Sequence, residues 1–278
     1  MSFTLHIVGV SATAPVPSSA ASGYLLAGPD GSVLVDCGPG IVLELARQRL
    51  LDDVVAVVVT HRHADHALDL GALAYRLQFP SPRSAPVPLY LPAESLDFVA
   101  QFDSLIGIAT VPTLQAPLAQ AFDVRGLNLD STEPFEVIPG LQLTAFAAHH
   151  AVPSASLRFE DIVTGGIVAF SSDTSECSGV RAAAAGADLF VCEATYLTAT
   201  VAELEGHGHL TGEGAGRLAA EAGVGTLLVS HIADQALAPR ILADAAQTAG
   251  GDVTAVLARP GDRYPLTRRV AALTLRPH

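Results

Sequence analysis

Along this chain, short runs of β-branched and aliphatic residues alternate with segments whose apolar positions recur every three or four residues. The runs SVLVD (32–36), VVAVVVT (54–60), GIVAFSS (166–172), ADLFVCE (187–193) and TLLVSH (226–231) read as strands buried on both faces, because nearly every position is apolar. Segments 41–50, 67–77, 95–106, 212–222 and 239–249 read as helices; the first follows a Pro-Gly turn and the last carries proline in its first turn. The opening MSFTLHIVGVSATAP alternates like a strand and has no Lys or Arg ahead of its apolar run, unlike a signal peptide. The proline-rich passage FPSPRSAPVPLYLP (79–92) reads as an exposed loop or the edge of a lid. Strands dominate early and alternate with helices later, which predicts an α/β or mixed sandwich, with sheets covered by helices.

Composition narrows the class. Of 278 residues, 50% are hydrophobic, only 5% are aromatic and none is Trp, so the core must be built from Val, Leu, Ile and Ala. The mean hydropathy of +0.40 excludes a disordered chain. No repeat or long linker divides the sequence, so one domain is expected over 1–278. Every apolar run is interrupted before the roughly 18–20 residues that a membrane span needs, and a cytoplasmic protein is expected. Cys37, Cys177 and Cys192 are odd in number and widely spaced, which fits reduced thiols rather than a disulfide framework. With 15 Lys and Arg against 28 Asp and Glu, the net charge of -13 opposes binding to large polyanions.

The chemistry concentrates in HRHADH, which places His61, His63, Asp65 and His66 between a strand and a helix. His61 and His63 are two apart and can point the same way from an extended turn, while Asp65 and His66 open the helix and can face a second point nearby. Two cations side by side would fit. A solvated polar turn is the plainer alternative.

HRHADH resembles the HxHxDH motif of the metallo-β-lactamase fold hydrolases, and the likeness extends through most of the chain. LVDCGPG (34–40) resembles the strand and turn ahead of that motif, with Asp36 buttressing the ligand loop. AAHHAVPSASLRF (147–159) resembles the third histidine site, where the HxxPS pattern selects His150 over His149. FSSDT (170–174) resembles the strand end whose carboxylate bridges two metals, which selects Asp173, and VSHI (229–232) supplies His231 as the last ligand. The resemblance implies an αββα sandwich of two mixed sheets flanked by helices. It also implies one metal on His61, His63 and His150, a second on Asp65, His66 and His231, and Asp173 shared between them. Ligands of this kind without thiolate suit Zn²⁺ and permit Mn²⁺ or Fe²⁺.

Within that family, CEATY (192–196) and GHGHLTGEGAGRLAAEAGVGTLLVSH (206–231) resemble the tRNA 3′-end endonucleases and their small phosphodiesterase relatives. The endonucleases usually carry His where this chain has Cys192, and a protruding basic arm for which the interval from His150 to Asp173 leaves no room. The resemblance therefore implies a dinuclear metal phosphodiesterase acting on small diesters, cyclic nucleotides first, with homodimers common among relatives; the charge and the missing arm speak against a nucleic acid partner, and the interrupted apolar runs against a membrane one. A tRNA 3′-processing endonuclease, and a lactonase or thioesterase of the same fold, are the alternatives. Catalytic roles fall to Asp65, to His209 as an acid for the leaving oxygen, and to Glu193 holding His209 in one tautomer. His207 reads as a surface residue, Cys192 as an apolar filler and His6 as a core or edge residue of the first strand.

Overall fold

All five β-branched runs form strands, and in each the side chains alternate between two apolar layers. The computed structural model describes residues 2–268. Its first sheet holds β1 (Thr4–Gly9), β2 (Gly23–Gly28), β3 (Gly31–Val35), β4 (Val54–Val58), β5 (Val87–Pro92) and β6 (Phe122–Leu127). The second holds β7 (Phe135–Ile138), β8 (Leu141–Ala147), β9 (Ala155–Asp161), β10 (Ile167–Phe170), β11 (Leu189–Glu193), β12 (Thr226–Ser230) and β13 (Thr254–Leu257). The chain then returns to the first sheet, where β14 (Arg263–Pro265) pairs with β1. Both sheets are mixed: β3 to β6 run parallel, as do β10 to β13, while the remaining pairings are antiparallel.

The helices are α1 (Ile41–Arg47), α2 (Ala64–Ala67), α3 (Leu70–Gln78), α4 (Asp97–Ile106), α5 (Pro117–Ala121), α6 (Ser178–Ala184), α7 (Val201–His207), α8 (Gly212–Ala222) and α9 (Ala238–Ala249). Three apolar layers result, giving the αββα sandwich. Between the sheets lie Val33, Ala56 and Val58 on one side and Phe159, Val191 and Leu228 on the other. Outside the first sheet, Leu34 and Val57 pack beneath α1 and α3. Outside the second, Phe190, Leu227 and Val229 pack beneath α6, α8 and α9. Phe159 and Phe190 are fully buried, and truncating either to Ala would cost about 3–5 kcal/mol.

Two expectations need correction. The passage 79–92 is not a loop throughout: Val87–Pro92 is a strand between β4 and β6, and its Leu89 and Leu91 are buried. Pro88 is tolerated because pairing with β4 begins only at Leu89. Nor can the preceding loop cover the carboxyl end of β4, because β5 runs parallel to β4 and the loop enters from the opposite end. Segment 67–77 is likewise not one helix: α2 ends at Ala67 and α3 begins at Leu70. No helix among the described residues is long and apolar enough to cross a membrane.

Candidate metal centre

Because β3 and β4 are parallel, and β10, β11 and β12 are parallel, their carboxyl ends meet along one rim of the sandwich. Asp36 follows β3, Thr60 and His61 follow β4, Asp173 follows β10, Glu193 closes β11 and His231 follows β12. His150 comes from the turn between β8 and β9, and the Ala155 N–H donates to the Thr60 carbonyl at 3.0 Å, tying that turn to the first sheet. Asp36, Ser172 and His231 have φ of 59°, 58° and 51°, a left-handed conformation that costs a non-glycine residue about 1–3 kcal/mol. All three stand at this rim. The surrounding hydrogen bonds hold the chain in these sharp turns.

Four overlapping groups of possible metal ligands result; two share no member, His61, His63 and His150 as the first cluster and Asp65, His66, Asp173 and His231 as the second, while His150, Asp173 and His209, and Glu193, His209 and His231, overlap them. In the first, His63 Nδ1 lies 3.1 Å from His61 Nε2 and 3.0 Å from His150 Nε2. In the second, His66 Nε2 lies 3.1 Å from His231 Nε2, which is 3.3 Å from Asp65 Oδ2. Asp173 spans the two. Its Oδ1 is 3.4 Å from both His66 Nε2 and His231 Nε2, and its Oδ2 is 3.7 Å from His61 Nε2 and 4.0 Å from His150 Nε2.

The donor set fits divalent cations. Four tetrahedral donors at zinc distances stand roughly 3.3 Å apart, the spacing found here among nitrogens that otherwise crowd one another's lone pairs. Burial lowers the pKa values of His61, His63 and His150, and neighbouring imidazoles act the same way; neutral rings are the form that ligates. Burial would raise the Asp65 and Asp173 carboxyls, but His231 and His66 outweigh it and keep both ionised.

Four of the five clustered rings are also fixed from behind. Asp36 Oδ2 accepts from His66 Nδ1 at 2.7 Å, while Asp36 Oδ1 accepts the Thr60 N–H at 2.8 Å. Thr60 Oγ1 stands 3.2 Å from His61 Nδ1, and Thr195 Oγ1 stands 3.1 Å from His231 Nδ1 while donating to Glu193 Oε2 at 2.6 Å. The Gly208 carbonyl accepts from His150 Nδ1 at 3.0 Å. Only glycine allows this approach, since a Cβ at 208 would sit 2.5 Å from the His150 Cα. In all four cases Nδ1 is occupied, which directs Nε2 into the clusters.

His209 lies above both clusters, with its ring 5.1 Å from that of His150 and stacked on His231 at 6.2 Å. Its Nδ1 is 3.1 Å and 3.2 Å from the two Glu193 oxygens. Burial disfavours the His209 cation, but the Glu193 hydrogen bond and charge prevail and raise its pKa to about 9. Glu193 also accepts the Thr174 and Leu210 N–H groups, which fixes its orientation.

The structure thus gathers His61, His63, Asp65, His66, His150, Asp173, Glu193, His209 and His231 at one rim. His149 and His207 are exposed and outside the clusters, and Cys192 is buried beneath α8. His6 sits on β1 away from the rim. The sequence reading missed Thr60 and Thr195, although both hydroxyls lie in quoted motifs, one beside HRHADH and the other within CEATY.

Residues 32–232 match the family model described as a Beta-lactamase superfamily domain. An uncharacterized protein of Mycobacterium tuberculosis is 33% identical over 262 residues, covering 92% of this chain and 90% of that protein. A Ribonuclease Z of Nocardia farcinica is 29% identical over 268 residues, covering 83% of this chain and 87% of that protein. Among solved structures, the metallo-beta-lactamase fold protein YhfI from Bacillus subtilis superposes with a TM-score of 0.77 at 22% identity, covering 94% of this chain and 99% of that one.

Proposed function

The chain belongs to the metallo-β-lactamase superfamily of hydrolases, and on that footing we propose that it is a dinuclear metal phosphodiesterase of small diesters, cyclic nucleotides foremost. The observation that carries this reading is the placement of Asp173, with one oxygen toward each cluster. His61, His63 and His150 would hold one cation and Asp65, His66 and His231 the other, with zinc the best match and manganese or iron(II) compatible. When bound, such a pair supplies positive charge for the phosphoryl oxygens and an activated water as nucleophile. Seven ligands carry only two formal negatives, so the loaded site is locally positive despite the chain's net charge.

The rest falls to side chains. Asp65 Oδ2 accepts the Thr13 N–H at 2.7 Å, which holds its carboxylate at the mouth of the site. Glu193 keeps the His209 Nδ1 proton, so His209 Nε2 is the atom that passes a proton to the departing oxygen.

A small diester is favoured over RNA by the net charge of -13 and by the direct turn from β9 to β10, which occupies the interval where a tRNA-gripping arm would emerge. A tRNA 3′-end endonuclease is the second reading, favoured by the relatives named Ribonuclease Z. The test is turnover of 3′,5′- and 2′,3′-cyclic nucleotides and bis(p-nitrophenyl) phosphate beside precursor tRNA. Cyclic nucleotide turnover without tRNA cleavage is expected; cleavage of tRNA with a steep salt dependence would instead establish the second reading. Turnover of lactones or thioesters alone would overturn both.

A further inference from the structure

Beneath the two clusters, buried hydroxyls connect the supports of two different histidines. Asp36 Oδ2, which orients His66, also accepts from the Ser22 hydroxyl at 3.0 Å. Two residues on, in β2, Tyr24 places its hydroxyl 2.6 Å from Ser230 Oγ, with Ser22 also beside that hydroxyl. Ser230 immediately precedes His231. Beside these groups lies a cavity of about 20 Å³ lined in part by Ser22, Tyr24, Asp36, Asp173 and His231. Its size suits one water molecule, and its walls offer that water the two to four polar partners it needs.

We propose that Tyr24 is a positioning residue for the cation site formed by Asp65, His66 and His231: its hydroxyl, together with one water in the adjoining cavity, couples the carboxylate that orients His66 to the backbone that presents His231. This rests on the reading that these residues hold a metal. His231 has a left-handed backbone with φ of 51°, and a hydroxyl anchored to the residue before it resists relaxation of that turn. The other cluster lies further from Tyr24 and Ser230: His61 meets this network only through Thr60, whose N–H and hydroxyl bond to Asp36 at 2.8 Å and 3.2 Å, and His150 is fixed by the Gly208 carbonyl. Support behind a ligand commonly changes metal affinity 10–100-fold, so the effect should fall on one site and spare the other.

Tyr24→Phe keeps the ring against Phe170, whose centroid is 5.3 Å away, and removes only the hydroxyl. Zinc-loaded protein, Tyr24→Phe and Ser230→Ala should be compared by stepwise release of zinc to a chromophoric chelator, with the unfolding temperature of each metal-free form measured alongside. The expected result is that one of the two dissociation constants rises about tenfold in both variants while the other is unchanged. Two unchanged constants, or two constants raised equally with a lowered metal-free unfolding temperature, would overturn the proposal, the second outcome by making Tyr24 merely structural. If the unsubstituted protein bound no zinc, the metal reading itself would fail, a result distinct from either.

Discussion

Asp36 Oδ2 and His66 Nδ1 are 2.7 Å apart in a site where both residues are almost fully buried. The pair joins the turn after β3 to α2, so the orientation of the His66 ring depends on a residue thirty positions earlier. Asp36→Ala would strand His66 Nδ1, the Ser22 hydroxyl and the Thr60 N–H without their acceptor. Each buried group left unpaired costs about 1–3 kcal/mol. Chemical denaturation should show a loss of about 3 kcal/mol in the metal-free protein, and chelator competition a weaker site at His66; a variant as stable as the parent would contradict this role.

His209→Ala should leave both cations in place and lower kcat by about a hundredfold or more, the usual contribution of a positioned proton donor. His149→Ala should change neither, because that side chain is exposed and outside the clusters. Parallel metal analysis and steady-state kinetics on the two variants make the comparison. Equal activities would remove His209 from the proton transfer.

Glu193→Gln tests the link between those residues. The amide keeps the side chain's shape and one carbonyl oxygen, enough for the Thr174 N–H or the Leu210 N–H but not both, and loses the charge that favours protonated His209. Turnover should fall at the alkaline side of the profile first, since His209 would lose its proton at lower pH. An unaltered alkaline limb in Glu193→Gln would contradict the assignment.

His6 gives an acid-sensitivity prediction away from the rim. It is buried on β1 opposite Leu25 and Arg263, and its Nδ1 has no hydrogen-bond partner. Burial, with the nearby Arg263 charge, lowers its pKa in the fold. Below about pH 6.5 the unfolded chain therefore takes up a proton that the folded site resists, and stability falls as pH falls through that value. His6→Leu should raise stability by about 1 kcal/mol at pH 8, where only the unpaired Nδ1 matters. The gain should widen at pH 5, as read by urea unfolding; a gain that is constant with pH would count against the burial argument.

Part of the site could be read from spacing alone, in HRHADH after a conspicuous β-branched strand, while Asp36, His150, Asp173 and His231 were legible through the resemblance of their motifs to a known family. Strands β3, β4 and β10 to β12 are buried on both faces, so their apolar runs are nearly continuous. The strand β5 was hidden by Pro88 and Pro92, and β6 by its exposed Asp123 and the charged Arg125, which break the apolar pattern at the edge of the sheet. The supports were hidden for another reason. Tyr24 and Ser230 meet across 206 positions and Thr195 and His231 across 36, so no local spacing relates them. Asp36 is the exception, because it stands in a motif of recognisable form.

Whether Asp173 would serve two cations at once is tested most directly by metal analysis of the purified protein beside Asp173→Ala and His150→Ala. Two equivalents per chain are predicted for the unsubstituted protein. His150→Ala should lose one of them selectively, and Asp173→Ala should weaken both. A single equivalent in the unsubstituted protein, or two retained in Asp173→Ala, would contradict the account.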